Sequence, residues 1–436
     1  MSLWDGRDLE RLYESVPEKP HGFELHGYQT RAVQSAWDAL VAEDRALVYL
    51  ATGLGKTVVA GRILSRYLAQ NPSGQVLVTA HMTDLVEQLE RAMWRDIPKH
   101  VPTRILNGSS KPNALPGVTF GVSPTARDYV ESGYAPGLVI VDEAHHVGES
   151  GHYARILERL SSGKHLGVTA TPWRGDQYDI EQRFGRPVVR VSISEGMRFG
   201  YLAKVRYRVF NDNIDWDFVE SASEKGYTLK DLNKRLFIPE RDEAIRDHLL
   251  TVWARTARPR AIVFCQTIPH AVRMAELLRR VPGWANTTSL HADLGPLERR
   301  ERLLKFRSGE VPILTSVDIL NEGVDVPDVN ILCFARVTHS RRIFVQQLGR
   351  GLRLRAGKDV VEVLDFVSDV RRMAEVYGLR EQVAESEFES VSVAKSEFLF
   401  EDQRVSSLLE SWLHDVGDLA EASETVRLEF PPAEGV

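Results

Sequence analysis

Short apolar runs alternate with stretches whose apolar residues return every three or four positions. The alternation occupies two separate parts of the chain. From about residue 22 to 191, the runs ALVYL (46–50), QVLVT (75–79), VTFGV (118–122), LVIVD (138–142) and LGVTA (166–170) predict strands. Between the first two, TVVAGRILSRYLA (57–69) predicts a helix with Val58, Ile63, Leu64 and Leu68 on its core face. From about 240 to 373 the pattern returns in AIVFC (261–265), TSLHA (288–292), PILTS (312–316), NILCF (330–334) and VVEVLDF (360–366). Strands that alternate with amphipathic helices are the mark of parallel α/β sheets.

This pattern divides the chain into an N-terminal extension (1–21), a first α/β domain (22–191), a connecting segment (192–240), a second α/β domain (241–384) and a C-terminal extension (385–436). The connector holds a strand, KVRYRVF (204–210), and then the polar run NDNIDWD (211–217). The C-terminal extension holds one amphipathic helix, with Leu409, Trp412, Leu413, Val416 and Ala420 on one face. No internal repeat and no low-complexity segment interrupts this plan.

Composition narrows the class. The 436 residues are 43% hydrophobic and 27% charged, an ordinary globular balance. No apolar run approaches the roughly 18 residues that span a bilayer. The first residues lack the basic-then-apolar plan of a secretory signal, so a cytoplasmic location without membrane contact is expected. Two cysteines, Cys265 and Cys333, each lie in an apolar strand, which excludes a disulfide framework and an all-cysteine zinc site. From Glu385 onward there are 13 acidic and 3 basic residues, a net of −10. The whole chain carries −6, so residues 1–384 carry +4. A mildly basic body with an acidic tail is compatible with a polyanion bound on the body.

The strongest chemical signal is ALVYL-ATGLGKT-VVAGRIL. A strand ends, Gly53 and Gly55 permit a tight loop, and Lys56-Thr57 opens a helix. A loop made of Thr52, Gly53, Leu54, Gly55, Lys56 and Thr57 points backbone N–H groups and a helix N-terminus at phosphates. Lys56 is placed to reach the β/γ-phosphates of ATP, and the Thr57 hydroxyl to hold Mg²⁺. The strict pattern asks for glycine at position 50, where Leu50 stands. The second signal, GLVIVDEAHH (137–146), delivers Asp142 and Glu143 together at a strand's carboxyl end, where open α/β sheets bind ligands. One carboxylate, Asp142, can hold a metal ion's water shell while Glu143 polarises an attacking water.

With ATGLGKT before it and GVTATPWR (167–174) after it, the DEAH sequence resembles that of superfamily 2 helicases and translocases. The resemblance extends through AIVFCQT (261–267), similar to motif IV. It continues through LTSVDILNEGVDVPDVN (314–330), similar to motif V in its UvrB-like form, and QQLGRGLR (346–353), similar to motif VI. Upstream, LHGYQTRAV (25–33) resembles the adenine motif, with His26 where arginine is usual. The set spans about residues 22–370 and is closest in style to the RadD, XPB and type III restriction-motor group. It implies two tandem RecA-like parallel-sheet domains, here followed by a short acidic extension.

The resemblance also implies roles. Gln29 reads adenine, Glu143 is the general base, and Thr169 and Thr171 couple the ATP site to the nucleic acid. Gly323 and Asp325 touch nucleotide. Gln346, Arg350 and Arg353, on one face of the predicted helix SRRIFVQQLGRGLR (340–353), act on the γ-phosphoryl charge of ATP bound to the first domain. Nucleic-acid contacts fall to Thr79, Ala80 and His81, to Ser123 and Thr125, to Gln266 and to Thr315. His81, His145, His146 and His291 suit no common zinc spacing and are read as structural or coupling residues. No helix-turn-helix, zinc finger or RNA-recognition signature occurs, so sequence-independent binding is expected. The implied activity is an ATP- and Mg²⁺-dependent DNA helicase or translocase. An RNA helicase, or a motor subunit of a larger complex with partners on the C-terminal extension, is the alternative.

Overall fold

The computed structural model describes residues 25–170, 178–210, 225–236, 242–317, 329–335, 351–352, 360–366, 369–387, 397–400 and 427–429, with isolated positions at 215, 218, 358 and 409. They fall into two compact units that divide between Gly196 and Met197.

The first unit is built on seven parallel strands: β1 (Arg45–Leu50), β2 (Val76–Ala80), β3 (Thr103–Leu106), β4 (Val118–Val122), β5 (Leu138–Asp142), β6 (Lys164–Thr169) and β7 (Pro187–Val191). Their order is β3-β4-β2-β5-β6-β1-β7. Every residue of β2 and β5 is buried, as befits strands covered by helices on both faces. Leu47, Leu77, Val139 and Val141 pack with Ile156, Leu157 and Phe184 in one core cluster. Gly167 is required on β6, because a Cβ there would stand 2.9 Å from Cγ of Phe184. Parallel strands put all their carboxyl ends on one edge. The loops after β1, β2, β5 and β6 therefore share that edge, and β6 lies directly between β5 and β1.

The second unit has β8 (Lys204–Phe210), β9 (Gly226–Thr228), β10 (Ala261–Cys265), β11 (Thr288–Leu290), β12 (Ile313–Ser316), β13 (Ile331–Ala335), β14 (Val360–Phe366), β15 (Glu397–Phe400) and β16 (Arg427–Glu429). Seven are parallel in the order β11-β12-β10-β13-β14-β8-β15, while β16 pairs antiparallel with β9. Val263, Cys265, Cys333, Trp284 and Phe366 share its core, and both cysteines are buried and unbridged. The buried Tyr207 hydroxyl donates to Asp365, and Arg372 donates to the same carboxylate at 2.9 Å. The Arg372 guanidinium also lies over the Phe334 ring, 4.5 Å from its centroid. This group fastens the helix Val370–Glu387 to the sheet with its charges paired, as burial demands. The two sheets are two tandem RecA-like α/β domains.

Each strand expected in the two α/β stretches is present within a residue or two. The interval expected only to connect the domains does more. Its strand β8 is an internal member of the second sheet, hydrogen-bonded to β14 on one side and β15 on the other. The acidic C-terminal extension likewise contributes β15 to the sheet edge and β16 to the two-stranded antiparallel pair with β9. Of its expected amphipathic helix, Leu409 is helical and fully buried, while Trp412, Leu413, Val416 and Ala420 lie outside the described residues. No described helix is long and apolar enough to cross a membrane.

Candidate active site

The phosphate-loop sequence folds as a turn between β1 and the helix Lys56–Gln70. Gly53 and Gly55 have φ of 95° and 83°, in the left-handed region that glycine adopts without a steric cost. Gly55 has a second reason to be glycine, since a Cβ there would stand 2.5 Å from Nε2 of Gln29. That amide donates to the Leu54 carbonyl at 3.1 Å and to the Tyr28 hydroxyl at 3.3 Å. The Tyr28 hydroxyl itself donates to Leu54 at 2.7 Å. Oε1 of Gln29 accepts from the His26 amide at 3.1 Å. Gln29 thus braces the loop and is 3% exposed. Tyr28, which sequence reading passed over, is the second brace.

At the carboxyl end of β5 the backbone turns sharply. Glu143 has φ of 47°, uncommon for a residue with a Cβ, and caps a single turn of 3-10 helix, Ala144–His146. Its carbonyl accepts from the His146 amide at 2.9 Å. The turn aims the Glu143 carboxylate toward the phosphate loop, where Oε1 lies 3.2 Å from Nζ of Lys56. On the other side, Oε2 of Glu143 lies 3.4 Å from Nδ1 of His145. The same ring nitrogen is 2.9 Å from the Thr169 hydroxyl at the end of β6. Lys56, Glu143, His145 and Thr169 therefore form one polar chain along three neighbouring strand ends.

Asp142 is buried beside Glu143. Loss of water and the neighbouring negative charge push its carboxyl up to about 7, while Lys56 and His81 act in the opposite sense. Two carboxylates against one ammonium leave an excess of negative charge that a divalent cation would neutralise. The Thr52 hydroxyl is buried in the loop without a hydrogen-bond partner among the described residues, and the amides of Lys56 and Thr57 precede the helix's first internal bonds, which begin at Val58. The loop, the helix N-terminus and the paired acids fit a nucleotide phosphate group with its magnesium, with Thr57 and Asp142 nearest in kind to a Mg²⁺ site.

The expected nucleic-acid residues divide by exposure. Thr79 and Ala80 are fully buried within β2, and His81 is the first residue to emerge. Ser123 opens the helix Ser123–Glu131 and is buried, while Thr125 is half-buried in its first turn. Gln266 is exposed after β10. Thr315 is the correction in this group. Its hydroxyl is fully buried and donates to the Ala271 carbonyl at 2.8 Å, so that side chain holds a helix to the sheet and is not offered to phosphate. Thr171, Gly323, Asp325, Gln346, Arg350 and Arg353 lie outside the described residues.

Comparisons with known proteins agree with this architecture. Residues 22–174 match the family model described as the type III restriction enzyme res subunit, and residues 240–355 match that of the helicase conserved C-terminal domain. With one match on each unit, the chain is similar over both units to superfamily 2 helicases. It is 25% identical to the type I restriction enzyme EcoAI endonuclease subunit of Escherichia coli, over 91% of this chain and 53% of that one. It is 27% identical to the putative mitochondrial ATP-dependent helicase irc3 of Schizosaccharomyces pombe, over 80% of this chain and 58% of that one. To the DNA 3'-5' translocase XPB2 of Sulfurisphaera tokodaii it is 27% identical, over 76% and 79%. The chain thus spans little more than half the length of the first two relatives.

Among solved structures, a fragment of a putative HsdR subunit of a type I restriction enzyme from Vibrio vulnificus superposes with a TM-score of 0.58 at 24% identity, over 91% of this chain and 72% of that one. A leucine-to-valine variant of S. cerevisiae Dbp5 bound to RNA and ADP BeF3 superposes with a TM-score of 0.58 at 14% identity, over 94% and 96%. These likenesses carry the fold.

Proposed function

We propose that the chain is a nucleic-acid-stimulated ATPase that moves along, unwinds or remodels DNA without reading its sequence. The observation that carries this reading is the approach of Lys56 Nζ to Glu143 Oε1, at 3.2 Å, on loops from strands β1 and β5 flanking β6. One ammonium and one carboxylate, held together beside a glycine turn, are what phosphate binding and water activation require.

Bound Mg²⁺-ATP would supply the γ-phosphoryl electrophile and part of the neutralising charge. The chain's own groups would do the rest. Amides 53–57 and Lys56 would bind the phosphates, Thr57 and Asp142 would hold the metal's ligand shell, and Glu143 would orient a water and accept its proton as the water attacks the γ-phosphorus and ADP leaves. Arg350 and Arg353 stabilise the transition-state charge, with Gln346, Gly323 and Asp325 contributing around the nucleotide. His81, Ser123, Thr125 and Gln266 contact the polymer backbone, where hydroxyl and amide donors suit phosphate oxygens.

DNA is favoured over RNA because relatives named as a restriction endonuclease subunit and a DNA translocase match most of this chain. An RNA substrate is the second reading, supported by the fold shared with an RNA-bound structure. Steady-state ATPase assays with no polymer, single-stranded DNA, duplex DNA and RNA decide between them.

A further inference from the structure

The polar chain that ends on Glu143 has an aromatic continuation. The His146 ring lies between two others, 4.5 Å from the His145 centroid and 4.1 Å from that of His81, with interplanar angles of 38° and 37°. His81 comes from a different strand. It follows β2, which pairs with β5 as far as Thr79 opposite Val141, so the two strands end side by side. His81 is thus in line with the turn that holds Glu143, and His146 joins the two.

We propose that His146 is a positioning residue, which carries a displacement of the loop after β2 to the Glu143 carboxylate. This rests on the reading of the site as a nucleic-acid-stimulated ATPase, in which His81 meets the polymer. Tilted rings with centroids 4.1 and 4.5 Å apart are in van der Waals contact, at or inside the short limit usual for aromatic pairs. The His145 side chain is fully buried, so it cannot yield to His146 without shifting its own partners. Those partners are Oε2 of Glu143 at 3.4 Å and the Thr169 hydroxyl at 2.9 Å. His146 also grips Glu143 directly, through its amide on the Glu143 carbonyl at 2.9 Å. Glu143 sits at φ of 47°, a backbone state that persists only where neighbours enforce it. A polymer that prefers one position of His81 thereby prefers one position of the water-orienting carboxylate, and it shifts the population only by that preference.

The contact needed is an aromatic face, so two substitutions separate stacking from bulk. His146→Phe keeps the face. His146→Ala removes it, and His146→Gln fills the space without a face and stands in if the alanine variant does not fold. The readouts are kcat and KM for ATP with and without single-stranded DNA, and DNA affinity by fluorescence anisotropy. Ala or Gln is expected to lower the DNA-stimulated kcat about tenfold, an ordinary coupling effect, with unstimulated kcat, KM and DNA affinity within about twofold of wild type. Phe is expected to keep most of the stimulation.

Undiminished stimulation in the alanine or glutamine variant would overturn the proposal. So would an equal fall in stimulated and unstimulated rates, or a phenylalanine variant as impaired as alanine. Each of those results leaves a stimulated wild-type enzyme and sinks this proposal alone. A wild-type chain stimulated by no polymer would instead sink the functional reading, and this proposal with it.

Discussion

The ammonium of Lys56 lies 3.2 Å from a carboxylate oxygen of Glu143, with both side chains about nine-tenths buried. A pair this enclosed is costly to break from one side, since the survivor keeps its charge without a partner. The two sides are not equivalent. Removing Lys56 leaves Asp142 and Glu143 facing each other, whereas neutralising Glu143 relieves that repulsion. Lys56→Ala is therefore expected to lose nucleotide binding and to lower the melting temperature. Glu143→Gln is expected to keep nucleotide binding, hold or raise the melting temperature, and lower turnover by about 10²–10⁴, the range for a positioned acid or base. Thermal unfolding and ATPase assays on the two variants check the opposed signs.

The phosphate loop gives a purely steric test. Gly55 has φ of 83° and no room for a Cβ against Gln29. Gly55→Ala is expected to destabilise the first domain by about 1–3 kcal/mol. Adding Gln29→Ala removes the clash but not the backbone strain, so the double variant should recover only part of the loss. Full recovery would mean that the left-handed turn is not required.

The C-terminal extension carries a net −10 and yet is part of the second unit. Deleting residues 397–436 removes β15 from the edge of the sheet and β16 from its pairing with β9. It also uncovers the edge of β8 and removes the buried Leu409 and Leu428. The truncated chain is expected to melt several degrees lower, roughly 2–4 °C for each kcal/mol lost in a domain of this size. An unchanged melting temperature would leave the extension free to serve a protein partner.

Much of the site was legible in the sequence because it is local. Gly53 through Thr57 and Asp142-Glu143 are contiguous motifs at strand ends, and parallel topology brings strand ends to one edge. The partners of Tyr28, His145 and His146 were not legible. They depend on which strands are neighbours, and the order β2-β5-β6 that brings His81, His146 and Thr169 together is not written in any one segment. Thr315 was misassigned for a similar reason. Its place in a motif suggested a loop end, but the strand buries it under Ala271. Strands β3 and β7 escaped notice because TRIL is short and half-polar and PVVRV opens on proline, as edge strands do. β8 was seen as a strand, but its membership in the second sheet rests on a long-range pairing with β14.

The proposed arginines give a further expectation. Arg353→Ala and Arg350→Ala should each lose most DNA-stimulated hydrolysis while nucleotide binding at the phosphate loop falls little. An inserted arginine is worth about 10³–10⁵ in rate in related phosphoryl transfers. The double variant should lose far less than the product of the two, because residues that act as a unit are not additive. Stimulated turnover that persists in both single variants would remove motif VI from the chemistry.

In the proposed function, the loop at Lys56 and the carboxylate of Glu143 hydrolyse ATP under the control of a nucleic acid. The most direct test is the steady-state ATPase rate of the full chain with Mg²⁺, measured with no polymer, single-stranded DNA, duplex DNA and RNA, beside the Glu143→Gln variant. DNA is expected to stimulate wild type at least about tenfold. Stimulation is expected to weaken steeply with salt as phosphate contacts are lost, and Glu143→Gln to stay about 10²–10⁴ below wild type under every condition. Equal rates with and without each polymer, or near-normal turnover in the Glu143→Gln variant, would contradict the proposed function.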